Sequence, residues 1–354
     1  MFFLPVKDAK KTLSFDGDTL IVPIVSTGNV GQLAIDIFLS TGRTKSPPVV
    51  EKVGYLNTDT VAPVAGYEVF GPGQPPQLCV NLELHRFADK GVTMLQQRGP
   101  VFPGEEEAFA KELVRWARES GFKSILALAG ADAAEGLDPT PLGRGAIKRF
   151  HAWKPPGTLS QQPPPPCALE EALQDAGVGA FDSFSAMADG GGYGGLAIVP
   201  PMGGGPLEGT GALGGGYGVG EEGSFEAAGH AEEIHHDPIT MPSPNGFNTS
   251  QALSKFPRLP TGTGVAGNLC RESALTREGP DASPPLVLLL HFCGEGDNTP
   301  QAVDMADVVN LALDVLPGLR GSSSSSSGDF SWSSPLSWAS LYGPPPGNDV
   351  NTYQ

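Results

Sequence analysis

The stretch Leu20-Ile21-Val22-Pro23-Ile24-Val25 is apolar without a break; Ser26-Thr27-Gly28-Asn29 ends it, and residues 31–40 follow with Leu33, Ile37 and Phe38 at helical spacing. A continuous run containing β-branched residues is how a strand buried on both faces reads. Apolar positions three and four apart give a helix one buried face. The unit is strand, glycine turn, helix, and the N-terminal part of the chain repeats it. Val53-Gly54-Tyr55-Leu56 predicts a second strand. Leu78, Val80, Leu82 and Leu84 alternate, predicting a half-buried strand over 78–84 with 92–97 as its pairing partner. The clearest helix lies over 105–120, where Phe109, Leu113 and Trp116 share a face. Glu105, Glu106 and Glu107 sit at its positive end, Arg115 and Arg118 nearer its negative end, and Gly121 is its stop. Residues 124–129 predict another buried strand. Strands alternating with helices indicate an α/β domain with a largely parallel sheet flanked by helices.

Composition limits how much of the chain joins that domain. Among 354 residues there are 48 Gly and 35 Pro, and 39% are hydrophobic. The excess is concentrated. Pro163 to Pro166 is a proline run and 190–223 is dominated by glycine. Such stretches bury too little apolar surface to offset their ordering entropy, so most of 155–285 is expected to be disordered. One island, Leu196-Ala197-Ile198-Val199-Pro200 followed by Met202-Gly203-Gly204-Gly205-Pro206-Leu207, is apolar enough for a strand and turn of the folded body. Order is expected to resume with a buried strand over 286–292 and a turn, Gly294-Glu295-Gly296-Asp297-Asn298. Thr299 is then expected to cap a helix beginning at Pro300, running to about Leu316 and stopped by Pro317-Gly318. Trp332, Trp338, Leu341 and Tyr342 form a late aromatic element.

The expected organisation is one α/β domain in pieces: 13–153, an island at 196–207, and 285–343 with a flexible serine run at 322–327. Disordered insertions at 154–195 and 208–284 separate the pieces, and 344–354 is a flexible tail.

A formal net charge of −17 repels phosphate backbones and anionic lipid surfaces, so neither nucleic acid nor membrane is expected as a partner. The cysteines Cys79, Cys167, Cys270 and Cys293 form no CxxC pair and have no zinc spacing, which reads as free thiols in a reducing compartment. Residues 1–11 are apolar first and basic second, the reverse of a secretory signal. The longest strongly apolar run, 286–292, is short of the ~20 residues a bilayer needs. Cytosol, nucleus or both is the expected location.

The candidate chemical motifs have structural readings beside them. Gly28-Asn29-Val30-Gly31 lies between strand and helix, where a helix N-terminus can hold phosphate. Its spacing is GxxG rather than GxGxxG and no Walker lysine follows, so a tight turn with close packing is the competing reading. Glu295, Asp297, Asp304 and Asp307 resemble a metal or acid–base cluster, but Asp304, Asp307, Asn310 and Asp314 also form one stripe of a helix, expected to be solvated. His230, His235 and His236 lack HExxH spacing and sit in glycine-rich sequence. There is no GxSxG elbow. No catalytic residue, metal site or cofactor is expected.

Several segments together resemble the proteasome assembly chaperone 2 family. These are Val25-Ser26-Thr27-Gly28-Asn29-Val30-Gly31-Gln32-Leu33-Ala34-Ile35-Asp36; Val53-Gly54-Tyr55 with Thr58-Asp59 and Val61-Ala62-Pro63-Val64-Ala65-Gly66; the glycine segment 201–207; Phe292-Cys293-Gly294-Glu295-Gly296-Asp297-Asn298-Thr299-Pro300; and Trp332, Pro335, Ser337-Trp338 and Leu341-Tyr342-Gly343. The resemblance covers about half the chain, in order. It implies a fold similar to nucleoside phosphorylases and a heterodimer with proteasome assembly chaperone 1. It also implies binding to proteasome alpha subunits that promotes alpha-ring formation, without catalysis. The alternative is a nucleoside- or phosphate-binding α/β enzyme. Related chaperones dock a C-terminal hydrophobic-Tyr-any motif. Tyr353 and Gln354 match its last two positions and Thr352 departs from the first. The turn residues Gly28, Asn29, Gly31, Gly294, Glu295, Gly296, Asp297 and Asn298 are expected to be structural or to form an interface, since they are expected to end adjacent strands of an α/β sheet.

Overall fold

The computed structural model describes residues 1–6, 13–69, 75–135, 147–151, 166–180, 259–276, 282–294, 296–319 and 331–340. Eleven strands are described: β1 (Phe2–Pro5), β2 (Thr19–Pro23), β3 (Glu51–Asn57), β4 (Ala65–Glu68), β5 (Gln77–Val80), β6 (Glu83–Phe87), β7 (Val92–Gln96), β8 (Ser124–Asp132), β9 (Ile147–His151), β10 (Gly179–Ala180) and β11 (Leu286–Cys293). Five α-helices accompany them: α1 (Val30–Thr44), α2 (Glu106–Glu119), α3 (Ala168–Asp175), α4 (Ala266–Leu275) and α5 (Thr299–Leu313).

Nine strands form one sheet in the order β1-β3-β6-β7-β2-β8-β11-β9-β10. Its centre is parallel, with β2 pairing β7 and β8, and β8 pairing β11. The β1-β3-β6-β7 wing is antiparallel. The centre reads as unbroken apolar sequence because helices cover both faces. Helices α2 and α4 cover one face, packing Phe109, Leu113, Leu269 and Cys270 on Leu20, Ile125 and Leu288. Helices α1, α3 and α5 cover the other, packing Phe38, Leu173 and Met305 on Ile21, Leu126 and Leu289.

Several sequence expectations need correction. The alternation at 78–84 is not one strand. Leu82 has φ +58, and this break sends β5 into a separate ribbon with β4 while β6 joins the main sheet. Helices α3 and α4 lie inside the stretches 154–195 and 208–284 expected to be disordered; Leu169, Leu173, Leu269 and Cys270 are buried and anchor them. Strand β1 precedes residue 13 and pairs with β3. Thr299 does not cap α5: Asp297 Oδ1 accepts from the Thr299 N–H at 2.9 Å, and Asn298 occupies the capping position. Helix α5 ends at Leu313 rather than near Leu316, because Asp314 is left-handed (φ +46) and Asn310 bonds both the Leu316 N–H and its carbonyl. Asn310 and Asp307 are buried, so the expected solvated stripe holds only at its ends, where Asp304 is partly exposed and Asp314 exposed. Asp307 accepts a 2.7 Å hydrogen bond from Trp332 Nε1, whose ring packs edge-on against Phe38.

A buried ionic cluster joins α1 to the antiparallel wing. His85 is 1% exposed. Arg43, a pure donor, gives a hydrogen bond to His85 Nδ1 at 3.2 Å, so the neutral ring carries its proton on Nε2, 3.3 Å from Glu83 Oε2. Burial lowers the His85 pKa to about 4, with Arg43 and Lys52 adding to the fall against Glu83. Burial alone raises the Glu83 pKa, but hydrogen bonds and charge from His85 and Lys52 outweigh it and hold it at about 2. Both folded-state values lie below those of the unfolded chain. The His85 contribution is therefore complete above pH ~6.5 and is lost as pH falls toward 4, with Glu83 adding its loss below ~4.5. Urea unfolding at pH 7, 6 and 5 should show stability falling with acidity. His85→Gln should remove up to ~1.4 kcal/mol per pH unit of that slope.

Candidate functional site

The carboxyl ends of central parallel strands are where α/β sheets bind ligands. Here that edge is occupied by four interlocking segments of the chain itself. The first is the turn after β2. Gly28 (φ +65) and Asn29 (φ +51) are both left-handed, a conformation open to Gly and tolerated by Asn. They swing the chain from β2 into α1. Gly31, in the first turn of α1, sits on β8: a Cβ there would lie 2.4 Å from the Leu128 carbonyl oxygen.

The second segment is the turn after β11. Asn298 is 3% exposed, and its Nδ2 donates to the carbonyls of Gly294 (3.0 Å) and Gly296 (3.1 Å). That closed turn presses on the first. A Cβ on Gly28 would lie 2.5 Å from Asn298 Nδ2 and 3.0 Å from Cys293 Sγ, and Cys293 Sγ donates to the Thr27 carbonyl at 3.4 Å. Strands β2 and β11 are not adjacent as expected; β8 lies between them. The third segment is the end of β8, over which the two turns meet and where Gly130 leaves room. Its N–H donates to Ser26 Oγ at 2.8 Å, and a Cβ would lie 1.9 Å from the Thr27 carbonyl oxygen.

The fourth segment precedes α4. Thr27 donates its N–H to the Gly262 carbonyl at 2.8 Å, and Asp132 donates to Thr261 at 3.1 Å. Gly262 and Gly264 are left-handed, and a Cβ on Gly264 would lie 2.2 Å from the Val25 carbonyl oxygen. Sequence reasoning missed Gly130, Gly262 and Gly264. The Thr-Gly-Thr-Gly run at 261–264, just ahead of an apolar helical pattern, is the signal that was there to find.

Chemically, this cluster is a packed joint. The Asn298 amide packs directly against Gly28. Burial pushes the Cys293 thiol pKa up, which keeps it protonated and unreactive. His291, two residues back on β11, turns Nδ1 to the Phe292 carbonyl at 3.0 Å, with Asp304 4.0 Å from Nε2. Of the candidate residues, Gly28, Asn29, Gly31, Gly294, Gly296, Asp297 and Asn298 come together as described. Glu295 lies outside the described residues, as do Thr352, Tyr353 and Gln354, the 196–207 island and His230, His235 and His236. Among the described residues no group of three or more His, Cys, Asp and Glu is placed to hold a metal ion, and no helix is long and apolar enough to cross a membrane.

A second surface stands apart from the joint. A groove of about 590 Å³ runs between the β1–β3 edge of the sheet and the β4–β5 ribbon, with Leu4, Tyr55, Val64 and Leu78 among its walls. None of its lining residues is charged.

The chain is similar to proteasome assembly chaperone 2 of Nematostella vectensis, 30% identical over 138 residues that are 38% of this chain and 55% of that protein. It is similar to the Danio rerio protein of the same name, 36% identical over 122 residues, 34% of this chain and 45% of that one. These alignments span about half the length of the relatives. Against proteasome assembly chaperone 2 of Xenopus laevis the identity is 23% over 327 residues, 92% of this chain and 91% of that protein. A solved structure of Pyrococcus furiosus PbaA, described as an archaeal homolog of proteasome-assembly chaperone, superposes with TM-score 0.45 at 13% identity, covering 85% of this chain and 84% of PbaA. The PAC2 family model matches residues 20–275, well over half of the sequence and from β2 to the end of α4. The chain belongs to the PAC2 family.

Proposed function

We propose that this protein is a non-catalytic proteasome assembly chaperone, which pairs with proteasome assembly chaperone 1 and binds alpha subunits of the core particle to promote alpha-ring formation. The observation that carries the reading is the PAC2 family match over residues 20–275, together with relatives that bear the name proteasome assembly chaperone 2. The joint supports it. Where an α/β enzyme keeps a crevice for its ligand, Asn298 packs against Gly28, and its amide closes the turn after β11 on the Gly294 carbonyl. That geometry counts against the nucleoside- or phosphate-binding alternative. A chaperone of this kind works by presenting a rigid surface, and the interlocked ends of β2, β8 and β11 supply the rigidity.

Affinity capture from native lysate tests the reading. Core-particle alpha subunits together with proteasome assembly chaperone 1 should co-purify with the chain; their absence removes the proposal. The C-terminal tail has its own prediction. Deleting Tyr353 and Gln354 should weaken alpha-subunit capture roughly tenfold or more while leaving the melting temperature unchanged. Unchanged capture means the tail makes no contact.

A further inference from the structure

Strands β4 and β5 pair with each other and with no strand of the nine-stranded sheet. A two-stranded ribbon is marginally stable alone, so its position depends on what holds it to the body. Its outer face carries Tyr67 and Leu78, 74% and 54% exposed, and its underside carries the buried Glu68 and Cys79. A sheet with one wet face ordinarily turns its polar side outward; here the order is reversed, because the partners of Glu68 lie underneath. At the base of the ribbon Asn81 is tied firmly. Its Nδ2 donates to the Ala62 carbonyl at 2.8 Å, and its Oδ1 accepts from the Arg98 and Gly99 N–H groups at 2.8 and 3.1 Å. Leu82, the next residue, is left-handed (φ +58) and turns the chain out of the ribbon into β6. Between base and far end, Lys52 Nζ donates to the Leu78 carbonyl at 3.2 Å.

The far end, at Glu68 and Val69, is held from a remote part of the chain. The Ser337 hydroxyl donates to Glu68 across 269 residues of sequence, and the Leu336 N–H donates to the Val69 carbonyl at 3.3 Å. The same segment is tied to the body at its other end. Trp332 Nε1 donates to Asp307 at 2.7 Å with its ring edge-on to Phe38, and the Ser333 N–H donates to Thr41 Oγ1 at 2.9 Å. Residues 331–338 thus run as a strap from α1 and α5 to the ribbon. The strap lies shallow: Leu336 is 44% exposed, and Trp332 and Trp338 are only partly buried against the core. Segments held by partly wetted contacts open at lower cost than the core beneath them.

We propose that residues 331–338 are a releasable latch on the β4–β5 ribbon. Latched, the strap holds the far end of the ribbon down over Glu68 and Cys79. Released, the ribbon pivots at Asn81 and Leu82. Ala65, Leu78 and Val80 of the ribbon face Leu4 and Tyr55 of the sheet across the uncharged groove, so the latch sets the width of that groove.

Two variants of the full chain test the latch from its two ends. Ser337→Ala removes the hydroxyl that holds Glu68. Trp332→Phe keeps a ring beside Phe38 but removes the hydrogen bond to Asp307, at a site the strap alone connects to the ribbon. Hydrogen exchange followed by mass spectrometry reads the ribbon, and alkylation of Cys79 by iodoacetamide reads its underside, with the partly exposed Cys167 as internal reference. Each variant should speed exchange in β4 and β5 and alkylation of Cys79 at least ~10-fold, while α2 and β8 keep native protection. Unchanged β4, β5 and Cys79 in both variants overturns the latch. An effect of Trp332→Phe confined to α1 and α5 overturns it too, since the strap then transmits nothing. Acceleration spread evenly over the whole chain also overturns it, because the strap would then be one more part of a single cooperative fold.

Discussion

Replacing Arg98 by alanine should cost about 3–5 kcal/mol of folding stability, the price of stranding buried carboxylates. Arg98 follows β7 and forks onto Asp36 of α1 with two 2.8 Å hydrogen bonds, one to each oxygen. Asp36 is 4% exposed, and Gln96 also donates to it. Burial alone lowers the Arg98 pKa, but Asp36 and then Glu68 outweigh it and hold the guanidinium charged. With the fork gone, Asp36 is left buried without its partner cation, and Glu68 loses its contact with Arg98. Urea unfolding is the measurement, and a melting temperature lowered by roughly 10 °C is the thermal counterpart. Arg98→Lys should fall between the two, because an ammonium supplies charge without the planar fork. Arg98 also ties Glu68 to the body, so the alanine variant should show faster hydrogen exchange in β4 and β5 than elsewhere.

Gly130→Ala should destabilise by ~3 kcal/mol or more, at or above the upper end of ordinary overpacking. The added methyl would lie 1.9 Å from the Thr27 carbonyl oxygen and 3.2 Å from Cys293 Sγ. Thr27 cannot retreat freely, since its N–H is bonded to Gly262 and its carbonyl accepts from Cys293. Relief therefore separates β2 from the end of β8. Gly66→Ala is the control. A Cβ at Gly66 meets nothing within 4 Å, and removing a glycine from the unfolded chain commonly stabilises by about 0.4–1 kcal/mol. Denaturant midpoints should thus move in opposite directions for the two substitutions. Equal shifts contradict the packed joint.

The parallel centre of the sheet was legible because its signals are local and strong. Residues 20–25 need only be buried on both faces, and the run says so. Helix α2 carries its own face in Phe109, Leu113 and Trp116, and its stop in Gly121 at φ +81. Other elements depend on distant partners. Asp307 reads as a solvent position until Trp332, twenty-five residues on, donates to it. Leu78 and Val80 alternate as a strand should, yet the apolar side faces outward because Glu68 is needed underneath for Arg98. Helices α3 and α4 are short islands in glycine- and proline-rich sequence, and their few anchors, such as Leu173 and Leu269, vanish in the average composition. In the joint, Gly28 and Gly31 were visible as a motif. Gly130 was not, since a lone glycine near the end of a buried strand shows its purpose only once the Thr27 carbonyl is seen against it.

The chain is held to act through an inert, rigid joint. Native mass spectrometry of the purified chain mixed with proteasome assembly chaperone 1 and core-particle alpha subunits addresses this most directly. A 1:1 chaperone pair carrying alpha subunits is the expected result. Free chains throughout, with saturable nucleoside or phosphate binding and product formation by the same preparation, contradict it.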